Sequence, residues 1–176
     1  MPVRISVWNS RELLAVILAI RQAPREIQQQ IRQQTKAITS EEWKRAMAEQ
    51  ASIVNAARPT SRVLVQTARV SVSNQNVRLS SATVGRKLKG GLNPKTDYAG
   101  FEFGGNPQKR TTYTATSRKG RRYTVHNRHT ARQLPRRNKK GWVFYPAAAH
   151  MVPRFAALFA QTTVRAIAEA FEGKRS

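Results

Sequence analysis

Residues 62–79 read RVLVQTARVSVSNQNVRL, and in this stretch the hydrophobic period of the chain changes from helical to extended. Valines at alternate positions in 63–72 are typical of a strand with one buried face, with an irregularity at Ala68-Arg69. Asn74-Gln75-Asn76 favours a turn, and 77–79 then returns as a second strand. The stretch therefore predicts a β-hairpin in the middle of the chain.

The residues before this hairpin have the pattern of one strand followed by helices. Polar and apolar residues alternate over 3–8, and the capping-box spacing of 9–12 begins a first helix. Pro24 ends that helix, and two further apolar stripes predict a second helix over 25–38 and a third over 41–57. We expect the first third of the chain to be helical after one strand.

The first predicted helix is apolar on nearly all sides, so we expect it to be covered on more than one side by its own domain or by another subunit. Its apolar run, 13–20, is far shorter than the ~20 residues that a membrane span needs, and we expect no membrane partner. The residues predicted to form a subunit interface are Leu13, Leu14, Ile17 and Leu18.

The residues after the hairpin mix loops, strands and a final helix. Their patterns predict, in order, a loop at 85–94, a strand at 98–103, a hairpin of strands 111–116 and 122–125, an exposed loop at 126–140, a strand at 142–145, and an amphipathic helix from Pro153 to about Gly173. No repeat and no sharp change of composition divides the chain. We therefore expect one α+β domain over 1–176, with a central antiparallel sheet, a basic extended loop region over about 105–141 and a C-terminal amphipathic helix.

The composition is strongly basic and contains no cysteine. The 32 Lys and Arg residues against 9 Asp and Glu give a formal charge of +23. Because so large a surplus disfavours a compact lone monomer through self-repulsion, it implies a polyanionic partner, which could be nucleic acid, an anionic membrane or acidic neighbouring subunits. The absence of cysteine excludes disulfide bonds, thiolate nucleophiles and cysteine-based zinc sites.

Most of the surplus charge lies between Arg86 and Lys140, where sixteen Lys or Arg residues face two acidic residues. Tyr113 and Tyr123 lie among these cations in the sequence. Their rings could stack on the bases of a nucleic acid, or they could be core or cross-strand partners within the protein. No zinc-finger, leucine-zipper or RNA-recognition signature is present, so nucleic-acid contacts should go to phosphates and be independent of sequence. The predicted contacts to DNA or an acidic partner are Arg118, Lys119, Arg121, Arg122, Arg128, Arg132, Arg136, Arg137, Lys139 and Lys140.

Groups that could perform catalysis are scarce. On a strand, Asp97 and Glu102 would point to opposite faces, which favours a role in neutralising nearby Arg or Lys over a catalytic pair. His126 and His129 have a spacing that could share a metal, but no carboxylate lies close in sequence and Arg128 stands between them. We therefore expect no enzymatic activity, no cofactor, no metal and no small-molecule substrate.

The order of elements, together with Tyr98-Ala99-Gly100-Phe101-Glu102-Phe103-Gly104 and Pro153-Arg154-Phe155, resembles the tail-completion or neck proteins of long-tailed bacteriophages, the lambda-like minor tail proteins among them. In that family an aromatic-rich strand ending in Glu-Phe-Gly precedes a loop and a proline-marked entry into the last helix. The chain departs from the family pattern at 59–62, where Pro-Thr-Ser-Arg replaces Pro-x-x-Thr-Gly, and in the length of its basic segment 109–140.

The resemblance implies a structural protein of the virion at the head–tail junction, assembled in the host cytoplasm. It implies a hexameric ring that joins the head-closure ring to the tail-terminator or tail-tube proteins around the DNA channel, with non-specific contact to packaged DNA. A sequence-independent nucleic-acid-binding protein is the alternative that the charge alone supports.

Overall fold

The computed structural model of the chain describes residues 2–4, 11–106, 110–128 and 134–172. The elements in these ranges are β1 (Pro2–Arg4), α1 (Arg11–Gln22), α2 (Arg25–Ser52), α3 (Ala57–Thr60) running into a π-helical turn (Ser61–Val65), β2 (Arg69–Val72), β3 (Val77–Ser80), α4 (Pro94–Phe103), β4 (Arg110–Thr116), β5 (Arg122–Arg128) and α5 (Phe144–Glu172). The fold class is α+β, as predicted.

The predicted central hairpin is present as β2 and β3. These two strands pair antiparallel with each other, and β1 pairs antiparallel with the opposite edge of β3, which gives the strand order β1-β3-β2. Val70 lies opposite Leu79 on the buried face of this sheet. The strand predicted at 3–8 is observed as β1, and the rest of that prediction, with the Asn9 cap, lies outside the described residues.

The strand predicted to begin at Val63 is wrong, because 61–65 form the π-helical turn. Val63 and Leu64 are both fully buried, and Thr67 and Ala68 are buried as well. Two adjacent buried positions followed by two more after a gap are a helical pattern. The alternation of Val63, Val65 and Thr67 in the sequence imitated a strand, although these residues lie in or next to the helical turn.

The core lies mainly between α2 and α5. On α2 every fourth side chain from Ile31 to Met47 is buried, which places them in one row along the helix. The Trp43 ring and the Phe144 ring on α5 pack perpendicular to each other, with a centroid distance of 5.3 Å. Two separate helices over 25–38 and 41–57 were predicted here, but the helix is continuous, because the Thr39 hydroxyl donates to the Thr35 carbonyl and does not cap a new helix.

The strand predicted at 98–103 is also wrong, since these residues belong to α4. The Asn93 side chain accepts the Lys95 N–H at 3.1 Å, and Pro94 occupies the first turn. An Asn cap followed by proline is a strong start signal for a helix. It outweighs the strand preference of the aromatic residues that follow.

The last strand, predicted at 142–145, is wrong for a related reason. Helix α5 begins at Phe144, well before Pro153, the predicted start. Pro146 lies in its first turn, where the missing N–H has no intrahelical partner to lose. Pro153 lies inside the helix, which continues because Met151 and Phe155 on either side are buried in the core.

Candidate functional site

The second predicted hairpin is present and stands out from the body. Strands β4 and β5 pair antiparallel in a two-stranded sheet of their own, from Arg110 opposite Arg128 to Thr116 opposite Arg122. None of the described side chains from Thr112 to His126 is buried. A strand of 7 residues is about 23 Å long, so the hairpin carries its tip well away from its base.

The tip of the hairpin is a closed, cationic turn. Ser117 donates its N–H to the Arg121 carbonyl at 2.8 Å, and its hydroxyl accepts the Arg121 N–H at 3.1 Å. Gly120 has a φ of +76° with no atom near the position of a Cβ. This turn and the adjoining strand end expose four predicted contact residues: Arg118, Lys119, Arg121 and Arg122.

The two faces of the hairpin differ in chemistry. On one face Tyr113 lies opposite Val125 and Tyr123 opposite Ala115. The two tyrosines are 55% and 52% exposed, so they are cross-strand neighbours and not part of the core. The other face is polar, with the Thr112 hydroxyl 3.2 Å from His126 Nδ1.

The base of the hairpin, 134–140, is fixed to the body. It is a loop with exposed cations, as predicted for 126–140. The prediction is wrong for 126–128, which belong to β5 because they pair with 110–112. Gly105 donates its N–H to the Pro135 carbonyl at 3.0 Å, and Asn138 donates to the Phe103 carbonyl at 2.8 Å. The Trp142 indole donates to the Arg136 carbonyl at 2.7 Å. This backbone is therefore held in place while its cations point outward: Arg136, Arg137, Lys139 and Lys140 are exposed.

The predicted contact residues thus fall into two clusters, one at the tip and one at the base. Arg132 and the Arg128 side chain lie outside the described part of the chain. Among the described residues the ion pairs are Arg45–Glu42 and Arg165–Glu169, and neither uses a residue of the two clusters. Their positive charge is therefore not neutralised by the described body.

The predicted subunit interface on α1 is partly exposed and partly core. Leu14 and Leu18, one helical turn apart, are 40% and 56% exposed, whereas Ile17 is 8% exposed and belongs to the core. The Leu13 side chain lies outside the described part. Beside α1 a cleft of about 220 Å³ is lined mostly by apolar residues: Ala19, Gln22, Ala23, Pro24, Ile27, Ile167, Ala170 and Phe171.

Glu102 does not neutralise a cation, contrary to the prediction. Its side chain is completely buried and accepts the backbone N–H of Phe144 at 2.8 Å and of Tyr145 at 3.1 Å, with Val143 at 3.4 Å. The carboxylate therefore caps the N-terminus of α5. Burial raises the pKa of Glu102 above its ordinary value, and the bonds from the amides oppose this rise.

The other candidates for chemistry do not come together in the described residues. The Asp97 carboxylate accepts the Asn93 N–H at 2.8 Å inside its own helix start. His126 and His150 are exposed, and His129 lies outside the described residues. In the ranges that the structure describes, no three His, Asp or Glu side chains could hold a metal ion, and no helix has the length and apolar character for crossing a bilayer.

Comparison of the chain with protein-family models, curated proteins and solved structures finds no match.

Proposed function

We propose that this protein is a structural subunit of the head–tail junction of a long-tailed bacteriophage. Six copies form a ring around the DNA channel, between the head-closure ring and the tail-terminator or tail-tube proteins. The observation that carries the proposal is the hairpin β4–β5, which extends from the body with exposed cations at its tip and a second exposed cluster at its base.

The electrostatics of the chain favour a role next to a large anion. Each copy carries a formal charge of +23, and a ring multiplies that charge. Such an assembly is stable only when DNA or acidic neighbouring rings neutralise it. A hairpin of this length places its tip cations where they contact a polyanion that the body itself does not touch.

The hairpin also needs a neighbour for its stability. A lone two-stranded hairpin is marginally stable in water, and this one leaves Tyr113 and Tyr123 more than half exposed. Docking of this face on another molecule would remove apolar surface from water at about 25 cal/mol per Å². The hairpin therefore has the character of an arm that becomes fully stable on assembly.

We propose that the apolar surface around α1 contacts a neighbouring copy of the chain in the ring. Leu14 and Leu18 project from α1, and Phe171, at the rim of the neighbouring cleft, is 67% exposed. A projecting apolar ridge and an apolar cleft on one chain permit a head-to-tail contact that repeats around a ring. Several exposed large side chains together indicate an interface more strongly than one of them alone.

The test is the mass of the purified protein by light scattering at moderate salt, followed by mixing with purified phage heads or tails. We expect a hexamer, or a monomer that joins the particles and restores head–tail joining. A monomer that neither oligomerises nor associates with heads, tails or DNA contradicts the proposal.

Sequence-independent binding of nucleic acid by a monomer is the second candidate. It is favoured by Tyr113 and Tyr123, whose exposed rings lie on strands that end in the cationic tip and could stack on unpaired bases. Tight binding of RNA by a monomer, with a steep loss of affinity as salt rises, would favour this candidate over the ring.

A further inference from the structure

A further cationic surface, separate from the tip and base clusters, lies on α3 and the π-helical turn that follows it. Between Gln50 and Thr96 the chain has eight Lys or Arg residues and no Asp or Glu. This part of the chain lies outside the basic hairpin and its base. Its positive charge therefore needs a separate explanation.

The centre of this surface is an open depression of about 520 Å³, lined by Arg58, Pro59, Ser61, Arg62 and Gln66. Residues 58, 62 and 66 are spaced by four, so they follow one face of the helical segment. Arg58 and Gln66 are exposed, whereas Ser61 and Arg62 are half-buried. The lining of the depression thus comes from one short continuous segment of the chain.

The Arg62 guanidinium is held in place by the glycine loop that follows β3. Its Nη2 donates to the Lys89 carbonyl, and a Cβ at Gly90 would lie 3.4 Å from its Nη1. Gly90 has a φ of +98°, which favours glycine at this close approach. The same loop exposes Arg86, Lys87 and Lys89.

The lining residues supply hydrogen-bond donors and no carboxylate. The side chains of Arg58, Ser61 and Gln66 bond to no described residue. Guanidinium groups bind phosphate oxygens in a bidentate manner, and a hydroxyl and an amide add further donors. Two guanidinium groups beside these donors match an anion with several oxygens better than a single carboxylate.

We propose that this depression binds a phosphate group, with Arg58 and Arg62 as its charged donors and Ser61 and Gln66 as neutral ones. The phosphate belongs either to the backbone of a nucleic acid or to a free phosphate compound. The site does not depend on the neck assignment, because it follows from residues that the hairpin and the apolar interface do not use.

The first experiment follows backbone amide resonances of the full chain during titration with inorganic phosphate, against chloride at equal ionic strength. We expect phosphate-specific shifts at Ser61, Arg62 and Gln66. Arg58→Gln should weaken the phosphate affinity about tenfold. Lys44→Gln, which removes one exposed charge on α2, should leave that affinity unchanged.

A second experiment distinguishes the two sources of phosphate. Duplex DNA that displaces inorganic phosphate, and binds R58Q more weakly than K44Q, assigns the site to a nucleic-acid backbone. Phosphate binding that is lost in R58Q while both variants bind DNA equally assigns it to a free phosphate compound. Equal effects of R58Q and K44Q on both ligands, or no phosphate-specific shift at the lining residues, would overturn the site while leaving the hairpin proposal untouched.

Discussion

The Glu102 carboxylate accepts the backbone N–H of Phe144 at 2.8 Å, across a separation of 42 positions in the chain. This bond joins the end of α4 to the start of α5. The Glu102 carbonyl also accepts the Trp142 N–H at 2.9 Å. Glu102 therefore binds backbone N–H groups of the incoming segment with both its carboxylate and its backbone carbonyl. The long helix α5 therefore begins at a position set by α4.

Glu102→Ala should destabilise the protein by about 3 kcal/mol, because it leaves buried amides at the start of α5 without an acceptor and opens a cavity. The free energy of unfolding from urea denaturation measures this loss. Glu49→Ala, an exposed glutamate on α2, is the control and should change stability by less than about 0.5 kcal/mol. Equal losses in the two variants would refute the capping role.

The stability of the wild-type protein should depend on pH through Glu102. Burial raises the pKa of Glu102 in the folded state above its ordinary value of 4.5, so the folded protein binds this proton more tightly than the unfolded chain. The contribution of Glu102 to the free energy of unfolding is therefore full below its ordinary pKa, and it is lost as pH rises through the raised pKa. Denaturation of wild type and Glu102→Gln between about pH 4 and pH 8 should show the wild type losing stability relative to the variant. Parallel curves would contradict this prediction.

The junction between α4 and the base of the hairpin should not tolerate a side chain at Gly104. Gly104 has a φ of +74°, and a Cβ there would lie 2.3 Å from the Arg136 carbonyl oxygen. Gly120, with a φ of +76° and open space around it, is a matched control for the cost of the backbone conformation alone. Gly104→Ala should cost at least about 2 kcal/mol more than Gly120→Ala in unfolding free energy, and trypsin should cut more readily at Arg136 and Arg137. Similar costs for both variants would mean that this junction is not tightly packed.

Leu14→Ser combined with Leu18→Ser should separate the oligomer into monomers. The two side chains are exposed on one face of α1, so their loss removes interface area while leaving the core of the monomer intact. Ile53→Ser is the control, because Ile53 is 69% exposed at the end of α2, away from α1 in the chain. Light scattering should give a lower mass for the double variant only. An unchanged mass with unchanged thermal stability would place the interface elsewhere.

Local signals in the sequence predicted both hairpins. The Asn-Gln-Asn turn at 74–76 and the Ser117–Arg121 turn are short-range features, and each lies between strands that pair with their immediate neighbours. Patterns of this kind need no knowledge of distant parts of the chain. The basic clusters were predictable for the same reason, because exposure of so many adjacent cations follows from the cost of burying charge.

The predictions that failed depend on partners distant in sequence or on competition between signals. The aromatic stretch at 98–103 favours a strand, but the cap at Asn93 and the docking of α4 on the helical turn at 61–65 make it a helix. The role of Glu102 requires the start of α5, which lies more than forty positions away. The depression at Arg58 had a visible signal in the spacing of 58, 62 and 66, and a strand assignment beginning at Val63 concealed it.

The salt dependence of duplex DNA affinity shows whether the exposed cations of the hairpin tip contact a polyanion. The tip variant loses four charges through Arg118→Gln, Lys119→Gln, Arg121→Gln and Arg122→Gln. The control also loses four charges, on the exposed faces of α1 and α2, through Arg21→Gln, Arg25→Gln, Lys36→Gln and Lys44→Gln. If the tip contacts phosphates, the slope of log affinity against log salt should become shallower by about 3 to 4 in the tip variant and by less than about 1 in the control. Equal changes of slope in the two variants would contradict the account, because the charge of the hairpin would then act only as part of the net charge.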